Sequence, residues 1–465
     1  MTKEMKAGDI GLIGLGVMGL NLAQNIAENG FSVVGHDVSS STTMSRTFFD
    51  YCSDLKDFIK KLKKPRKIML LVPAGQTVEE VIDALLPYLE PNDLIVDAGN
   101  SHFEDTLRRS KALETQNINF FGLGISGGEA GARNGASLMG AGDPNVFESI
   151  RPILEAVAAR DEHNNICALR LGNSPEVGHF VKMVHNSIEY AEMQLISEVY
   201  SQFSEIKDYS NERISNFLTN WRSDIEGSFL LDVTSQVLTV ADEVTGVPLI
   251  DMIEDIAEQK GTGKWGTVSA INLGVAAPTL YEAVSTRFLS QNKTDRLAAS
   301  EIYAPKVNKS DVISNEIIKD AFSAAKICAF AQGFQLLAFA NLEYSWNMKL
   351  REIAQVWKAG CILRGNILDK IIRAFDKNAS LTNLLLDDEL SKKLKNSIGQ
   401  LRLVVSEGAL CGLPLPAHTS SLSYFDAYTK ARLPINLVQA QRDFFGSHGY
   451  QRIDKQGTFH STWVN

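Results

Sequence analysis

Five side chains able to move protons or hold anions fall within one short stretch, GHFVKMVHNSIEY at residues 178–190. At about 100° per residue, Lys182, His185, Asn186, Glu189 and Tyr190 occupy i, i+3, i+4, i+7 and i+8, an arc about 140° wide on one helix. The rest of the wheel holds Phe180, Val181, Met183, Val184, Ile188, Ala191 and Leu195. A helix apolar on its other faces turns its polar stripe toward a cavity rather than to water. An ammonium, an imidazole, an amide, a carboxylate and a phenol are together the parts of general acid–base catalysis. The lysine becomes a base only if its pKa falls from about 10.4, and an apolar helix wall supplies the desolvation that lowers it.

The chain that must position this stripe is 465 residues long, enough for two or three cores. Hydrophobic residues make up 44% and charged residues 22%, which excludes a disordered chain. No apolar run approaches the roughly 20 residues of a membrane span, and the opening residues lack a signal-peptide pattern, so a cytoplasmic protein is expected. Five cysteines without CxxC spacing fit reduced thiols and no zinc site. The net charge of −9 argues against general nucleic-acid binding.

The first third reads as a nucleotide fold. A strand over 9–15 runs into Gly14-Leu15-Gly16-Val17-Met18-Gly19 and a helix stopped by Gly30. The glycines allow a tight turn and close approach of a pyrophosphate, which the helix N-terminus then binds. The next strand ends at Asp37, about 20 residues beyond the glycines, where a carboxylate accepts the ribose hydroxyls. A 2′-phosphate there would meet like charge, worth up to about 4 kcal/mol at about 4 Å and an effective dielectric of about 20. NAD is therefore expected rather than NADP, since Val38 and Ser39 follow and the nearest arginine is Arg46. Strands over 67–72 and 93–97 continue the βαβ alternation. Their loops, Val72-Pro73-Ala74-Gly75 and Ala98-Gly99-Asn100-Ser101, lie at the carboxyl edge, where such sheets bind ligands. A strand over 120–125 opens onto Ser126, Gly127 and Gly128, which offer donors to a substrate carboxylate or form a plain turn. The last strand of this half is expected over 168–172.

Helical patterns take over near residue 175. The expected architecture is a Rossmann-like doubly wound α/β domain over 1–175, an all-helical substrate and dimerisation domain over 176–433, and a tail over 434–465 reaching a partner subunit. Met193-Gln194-Leu195-Ile196 is echoed by Phe334-Gln335-Leu336-Leu337, and Trp221-Arg222 by Trp357-Lys358, at offsets of 141 and 136. A duplicated helical unit is implied, with the acid–base stripe in the first copy alone. The loop QKGTGKW brings Lys260 and Thr262 to a glycine-rich turn suited to an oxyanion, without Walker A spacing. Arg287 stands alone in a helical run. The aromatic tail needs a partner to order it.

GLGVMG, DAGNS, SGGEAGAR, GHFVKMVHNSIEY, QKGTGKW and RDFFGSH together make the sequence resemble the 6-phosphogluconate dehydrogenases over essentially its whole length. The resemblance implies hydride transfer from C3 of 6-phosphogluconate to a nicotinamide, then loss of CO₂ to give ribulose 5-phosphate in the pentose phosphate pathway. Lys182 matches the general base at the C3 hydroxyl, later the acid at the C3 oxygen, and Glu189 the acid that protonates C1. Asn100, Ser126, Gly127, Gly128, His185 and Asn186 match the residues at the sugar's carboxylate and hydroxyl end. Tyr190, Lys260, Thr262 and Arg287 match the phosphate site. Arg442 and His448 match residues lent by a second subunit, implying a homodimer with shared sites. The cofactor set is Gly14 to Gly19, Asp37, Val38, Ser39, Val72, Pro73, Ala74 and Asn100, and no metal is implied. Members that use NADP commonly read Asn-Arg-Thr where this chain has Asp37-Val38-Ser39, and many carry lysine in place of Pro73. Both departures point to NAD. A dehydrogenase of short 3-hydroxy acids would not need Lys260, Thr262, Arg287 and Arg442, and a non-catalytic nucleotide sensor would not need Lys182 with Glu189.

Overall fold

The structure, a computed structural model, describes residues 7–38, 48–259 and 261–463. Ser39, Arg46 and Lys260 lie outside the described residues. Short apolar runs build the first half: β1 (Ile10–Ile13), β2 (Val33–His36), β3 (Asp50–Cys52), β4 (Lys67–Leu70), β5 (Leu94–Asp97), β6 (Asn119–Ser126), β7 (Ser137–Ala141) and β8 (Ala168–Arg170). They form one sheet in the order β3-β2-β1-β4-β5-β6-β7-β8. Pairing is parallel from β3 to β6, antiparallel between β6 and β7, and parallel again from β7 to β8. The chain order reverses between β1 and β4, the crevice where an open α/β sheet binds its ligand. In the β5–β6 register Asp97 stands opposite Gly122, which brings the strand ends and their loops side by side.

The striped helix runs from Glu176 to Ser201 and is buried on nearly every face. Glycines set how closely it approaches the sheet. A Cβ on Gly122 would lie 2.0 Å from the Pro175 carbonyl oxygen, and one on Gly178 would lie 2.6 Å from that of Gly122. On Gly124 a Cβ would meet the Lys182 Cβ at 2.6 Å. Glycine inside a strand marks such a contact, where a second backbone comes close. The helix therefore rests on β6 almost backbone to backbone, and Lys182 leaves it directly over Gly124.

The helical half carries the sequence echo into geometry. Trp221 closes helix Asn211–Asn220, as Trp357 closes Leu350–Val356. Pro278 and Pro416 each open a helix after a residue of nearly the same shape, Ala277 at φ −131°, ψ 53° and Leu415 at φ −128°, ψ 58°. The two halves also cap each other: Thr279 N donates to Gln332 Oε1 at 2.9 Å, while Ala417 N and His418 N donate to the Glu198 carboxylate at 2.8 and 3.0 Å. Helix Asn315–Glu343, in the second half, is long and apolar enough to cross a membrane, contrary to expectation from the sequence. Yet 83% of its most apolar window is buried in the fold. Its interior Lys326 pairs with Glu192 of the striped helix at 2.9 Å, each side chain 1% exposed.

The tail forms helix Ile435–Gly446 and a hairpin of Tyr450–Gln451 with Thr458–Phe459. Its organiser is the buried Asp443 carboxylate. Gly449 N, Ser461 N and Trp463 Nε1 donate to it at 2.9, 3.1 and 2.8 Å, and His460 Nδ1 lies at 2.9 Å.

Candidate active site

A cavity of about 1470 Å³ follows the carboxyl edge of the sheet past the glycine loop. Gly14 adopts φ +93°, and a Cβ there would lie 2.6 Å from the Leu71 carbonyl oxygen. Nothing stands within 4 Å of where a Cβ on Gly16 would be, which leaves that face open. Helix Val17–Glu28 starts beside it with its first N–H groups unpaired in the helix, so loop and helix fit a pyrophosphate. Gly14, Gly16, Val17, Met18, Gly19, Asp37, Val38, Val72, Pro73, Ala74 and Asn100 all line the cavity. Leu15 does not. Its side chain is 3% exposed within the sheet core, and its N–H is taken by Asp37 Oδ2 at 2.6 Å. The carboxylate that faces the groove thus also staples the glycine turn.

A buried arginine positions the two loops of the groove. Arg109 donates to Gly75 O at 3.2 Å, to Asp97 Oδ2 at 3.2 Å, to Ser101 Oγ at 3.1 Å and to Glu79 Oε1 at 2.9 Å. Asp97 accepts in addition from Gly99 N and Ser101 Oγ. Asn100, between them, hangs from a network anchored by a full charge pair.

Along the stripe, Lys182, His185 and Asn186 are buried and Glu189 is half-buried. His185 Nε2 lies 3.3 Å from Ser126 Oγ, and its Nδ1 lies 3.2 Å from Asn186 Oδ1 and 3.5 Å from Glu189 Oε2. Burial lowers the Lys182 pKa from its usual value, a trend the nearby Glu189 and Cys361 oppose. Burial likewise raises Glu189, opposed by Lys182 and then by Arg287. His185 is pushed well below its ordinary value by burial first and the Lys182 charge second, so its ring is neutral. The two acceptors beside Nδ1, Asn186 Oδ1 and Glu189 Oε2, fit a proton on that nitrogen, with Nε2 accepting from the Ser126 hydroxyl. One helix face thus holds a lysine drawn toward neutrality and a carboxyl drawn toward protonation, the pattern of a base and an acid working at one pH. Ser126 ends β6, and Gly127 at φ +135° turns the chain into the short helix Gly128–Asn134. These residues meet the stripe at its sheet end.

At the residue after Glu189, the Arg287 guanidinium lies 3.4 Å from the centre of the Tyr190 ring. Thr262 is the first residue of helix Thr262–Asn272, and Gly263 beside it packs on Tyr190, where a Cβ would come within 2.7 Å of the ring. Tyr190, Thr262 and Arg287 are therefore gathered at one end of the stripe. Arg442 and His448 are not: both are exposed, and among the described residues every hydrogen bond of 434–463 stays within that segment. The structure also adds residues that the sequence reading missed. Trp357 packs edge-on against His185, centroids 5.4 Å apart, and donates Nε1–H to Met139 Sδ at 3.2 Å. Gly360, at φ +72°, presses its carbonyl oxygen to 2.3 Å from where a Gly127 Cβ would stand. The Trp221–Trp357 echo is the signal the sequence carries, and by itself it marks only repetition.

An open, mostly parallel sheet with a glycine-loop groove, joined through one helix to a lysine–carboxyl pair, defines a dinucleotide-dependent dehydrogenase with its site between an α/β and a helical domain. Comparison with known proteins makes the assignment particular. Residues 9–172 match the NAD binding domain of 6-phosphogluconate dehydrogenase, and residues 178–463 match the 6-phosphogluconate dehydrogenase C-terminal domain. The chain is 42% identical over 474 residues to the NADP(+)-dependent decarboxylating 6-phosphogluconate dehydrogenase of Bacillus subtilis, covering 99% of this chain and 100% of the relative. It is 41% identical over 473 residues to the decarboxylating 6-phosphogluconate dehydrogenase of Synechococcus elongatus, covering 99% and 100%. A solved 6-phosphogluconate dehydrogenase of Plasmodium falciparum, studied in its apo form and with NADP+ or 6-phosphogluconate, superposes with TM-score 0.93 at 38% identity, covering 98% of this chain and 100% of that one. The chain belongs to the 6-phosphogluconate dehydrogenase family of decarboxylating oxidoreductases.

Proposed function

We propose that the chain oxidises 6-phosphogluconate at C3 and decarboxylates the product to ribulose 5-phosphate, with Lys182 and Glu189 dividing the proton transfers. The observation that carries this division is the opposed pull on the two groups of one buried face, lysine down and carboxyl up. Bound in the groove, a nicotinamide supplies the hydride acceptor. Lys182, neutral, takes the proton of the C3 hydroxyl. The resulting ammonium then donates to the C3 carbonyl oxygen, which draws electrons from the breaking C1–C2 bond as CO₂ leaves. Glu189, protonated, delivers its proton to the carbon that CO₂ has left while the enol proton on the C3 oxygen returns to Lys182, which leaves the ketone of ribulose 5-phosphate. Asn100, Ser126, Gly127, Gly128, His185 and Asn186 hold the carboxylate and hydroxyl end. Tyr190, Lys260, Thr262 and Arg287 hold the phosphate. Arg442 and His448 complete that site from a second copy of the chain, so the active form is a homodimer. Five free, buried cysteines support a reducing, cytoplasmic location.

For the cofactor, NAD is preferred over NADP. Asp37, Asp54, Glu80 and Asp105 line the groove, and among the described residues no lysine or arginine does. A 2′-phosphate entering there meets the like charge of these carboxylates. The named relatives from B. subtilis and P. falciparum use NADP, so cofactor choice is where this chain departs from them. The deciding experiment measures kcat/KM for NAD and NADP with 6-phosphogluconate while trapping released CO₂. Preference for NADP removes the cofactor assignment, and absence of CO₂ removes the reaction.

A further inference from the structure

Trp265 stands three residues into the helix that Thr262 opens, and its indole covers the turn before it: a Cβ on Gly261 would lie 3.2 Å from Cζ2 and 3.3 Å from Cε2. The same indole meets His102 edge to face across the cleft, centroids 5.0 Å apart and planes at 86°. His102 caps helix Phe103–Glu114, its Nδ1 accepting from Glu104 N at 3.3 Å, and follows Asn100 by two residues. Both rings line the dinucleotide cavity. Trp265 cannot drift with a loose helix, because glycines lock that helix to the stripe. A Cβ on Gly266 would lie 2.0 Å from Ser187 Oγ, and one on Gly263 would lie 2.7 Å from the Tyr190 ring. One indole is therefore fixed from the phosphate end of the site and touches the loop that faces the dinucleotide.

We propose that Trp265 is a positioning residue that couples the two halves of the site: an anion at the Gly261–Thr262 turn sets the indole against His102, and His102 sets the Asn100 loop against the dinucleotide. This rests on the reading of Thr262 as a phosphate ligand and of the groove as the dinucleotide site. A coupling of this kind is reciprocal and has a discrete physical carrier, here one ring pair.

The test titrates the reduced form of the preferred dinucleotide into the full-length enzyme, with and without saturating 6-phosphogluconate, a pair that cannot turn over because the dinucleotide already carries its hydride. In the parent protein 6-phosphogluconate tightens dinucleotide binding by about fivefold or more. In Trp265→Leu and in His102→Ala that ratio falls to within about twofold of one, and the double variant loses nothing further, as expected for two residues acting as one contact. Trp265→Phe, which keeps an aromatic ring, retains most of the ratio and guards against misfolding as the cause. An unchanged ratio in Trp265→Leu, or a parent ratio of one, overturns the proposal. Thr262→Ala separates the two readings. If it leaves 6-phosphogluconate affinity unchanged, the phosphate assignment fails and the coupling fails with it. If it weakens that affinity while Trp265→Leu keeps the ratio, the coupling alone fails.

Discussion

His185 Nδ1 lies 3.5 Å from Glu189 Oε2, one helical turn along the same face. With His185 held neutral by burial and by the Lys182 charge, this contact is not an ion pair. Glu189 therefore gains no cation from its nearest neighbour, and only Lys182 and Arg287 oppose the desolvation that raises its pKa. Lys182 and Glu189 are coupled to each other as well.

That coupling has a sign. Ionised Glu189 raises the Lys182 pKa, so Glu189→Gln lets Lys182 fall further. The acid limb of the kcat/KM profile, where Lys182 must lose its proton to act as base, should move to lower pH. Overall activity should drop by about a hundredfold to ten-thousandfold. A limb that stays in place shows that Lys182 is not the group titrating there.

Lys182→Met should abolish turnover and stabilise the fold. Because burial lowers the folded-state pKa below 10.5, the folded chain holds the lysine proton less tightly than the unfolded chain does. The cost is complete below the folded-state pKa and vanishes as pH rises through 10.5. The substitution should therefore stabilise the fold at neutral pH by about 1.4 kcal/mol for every tenfold loss of proton affinity, read as a higher Tm. The gain should shrink as the pH approaches 10. A lower Tm at neutral pH would sink the argument.

Asp37→Asn tests the cofactor assignment. Removing the charge should raise kcat/KM for NADP relative to NAD by about tenfold or more, since up to about 4 kcal/mol of repulsion is at stake. The same change weakens the staple to Leu15 N, so NAD should also lose some affinity. Equal ratios in parent and variant would place specificity elsewhere.

Gly124→Ala puts a methyl group 2.6 Å from the Lys182 Cβ and 2.9 Å from the Gly178 carbonyl oxygen. The helix must lift, at a cost of about 1–3 kcal/mol. In steady-state assays kcat should fall while KM for the dinucleotide stays level, because the groove is untouched. A matched loss in both would point to general disruption instead.

Asp443→Asn replaces two acceptor oxygens by one acceptor and one donor, facing four groups that converge on the carboxylate. The tail should become protease-sensitive, and KM for 6-phosphogluconate should rise by about tenfold with KM for the dinucleotide unchanged. If tail cleavage accelerates without any change in KM, Arg442 and His448 do not serve the phosphate.

What the sequence revealed and concealed follows from range. The stripe was legible because 3.6-residue periodicity is local, and the glycine fingerprint because its spacing encodes one turn. Tyr190 and Arg287 meet across 97 positions, a contact only the resemblance suggested. β7, SLMGA, is a short apolar run without alternation, so neither its presence nor its reversed direction could be read. The same holds for Trp357, which reaches His185 from the second half of the duplication. Gly122 and Gly124 look like weak points in a strand until the helix that lies on them is known. Helix Asn315–Glu343 misleads by composition, since a helix enclosed by a protein and one enclosed by lipid have the same residues on their surface.

The single unbroken helix from Glu176 to Ser201 has a consequence for selectivity. Lys182 and Tyr190 are eight positions apart, which at about 1.5 Å per residue sets them about 12 Å apart along the axis. A rod of fixed pitch held rigidly on the sheet acts as a gauge: a substrate that anchors its phosphate at Tyr190 brings one particular carbon to Lys182. Phosphorylated sugar acids one carbon shorter or longer present the wrong carbon, even if every polar group in the site is satisfied. With the proposed roles of Tyr190 and Lys182, chain length is selected by the helix repeat itself.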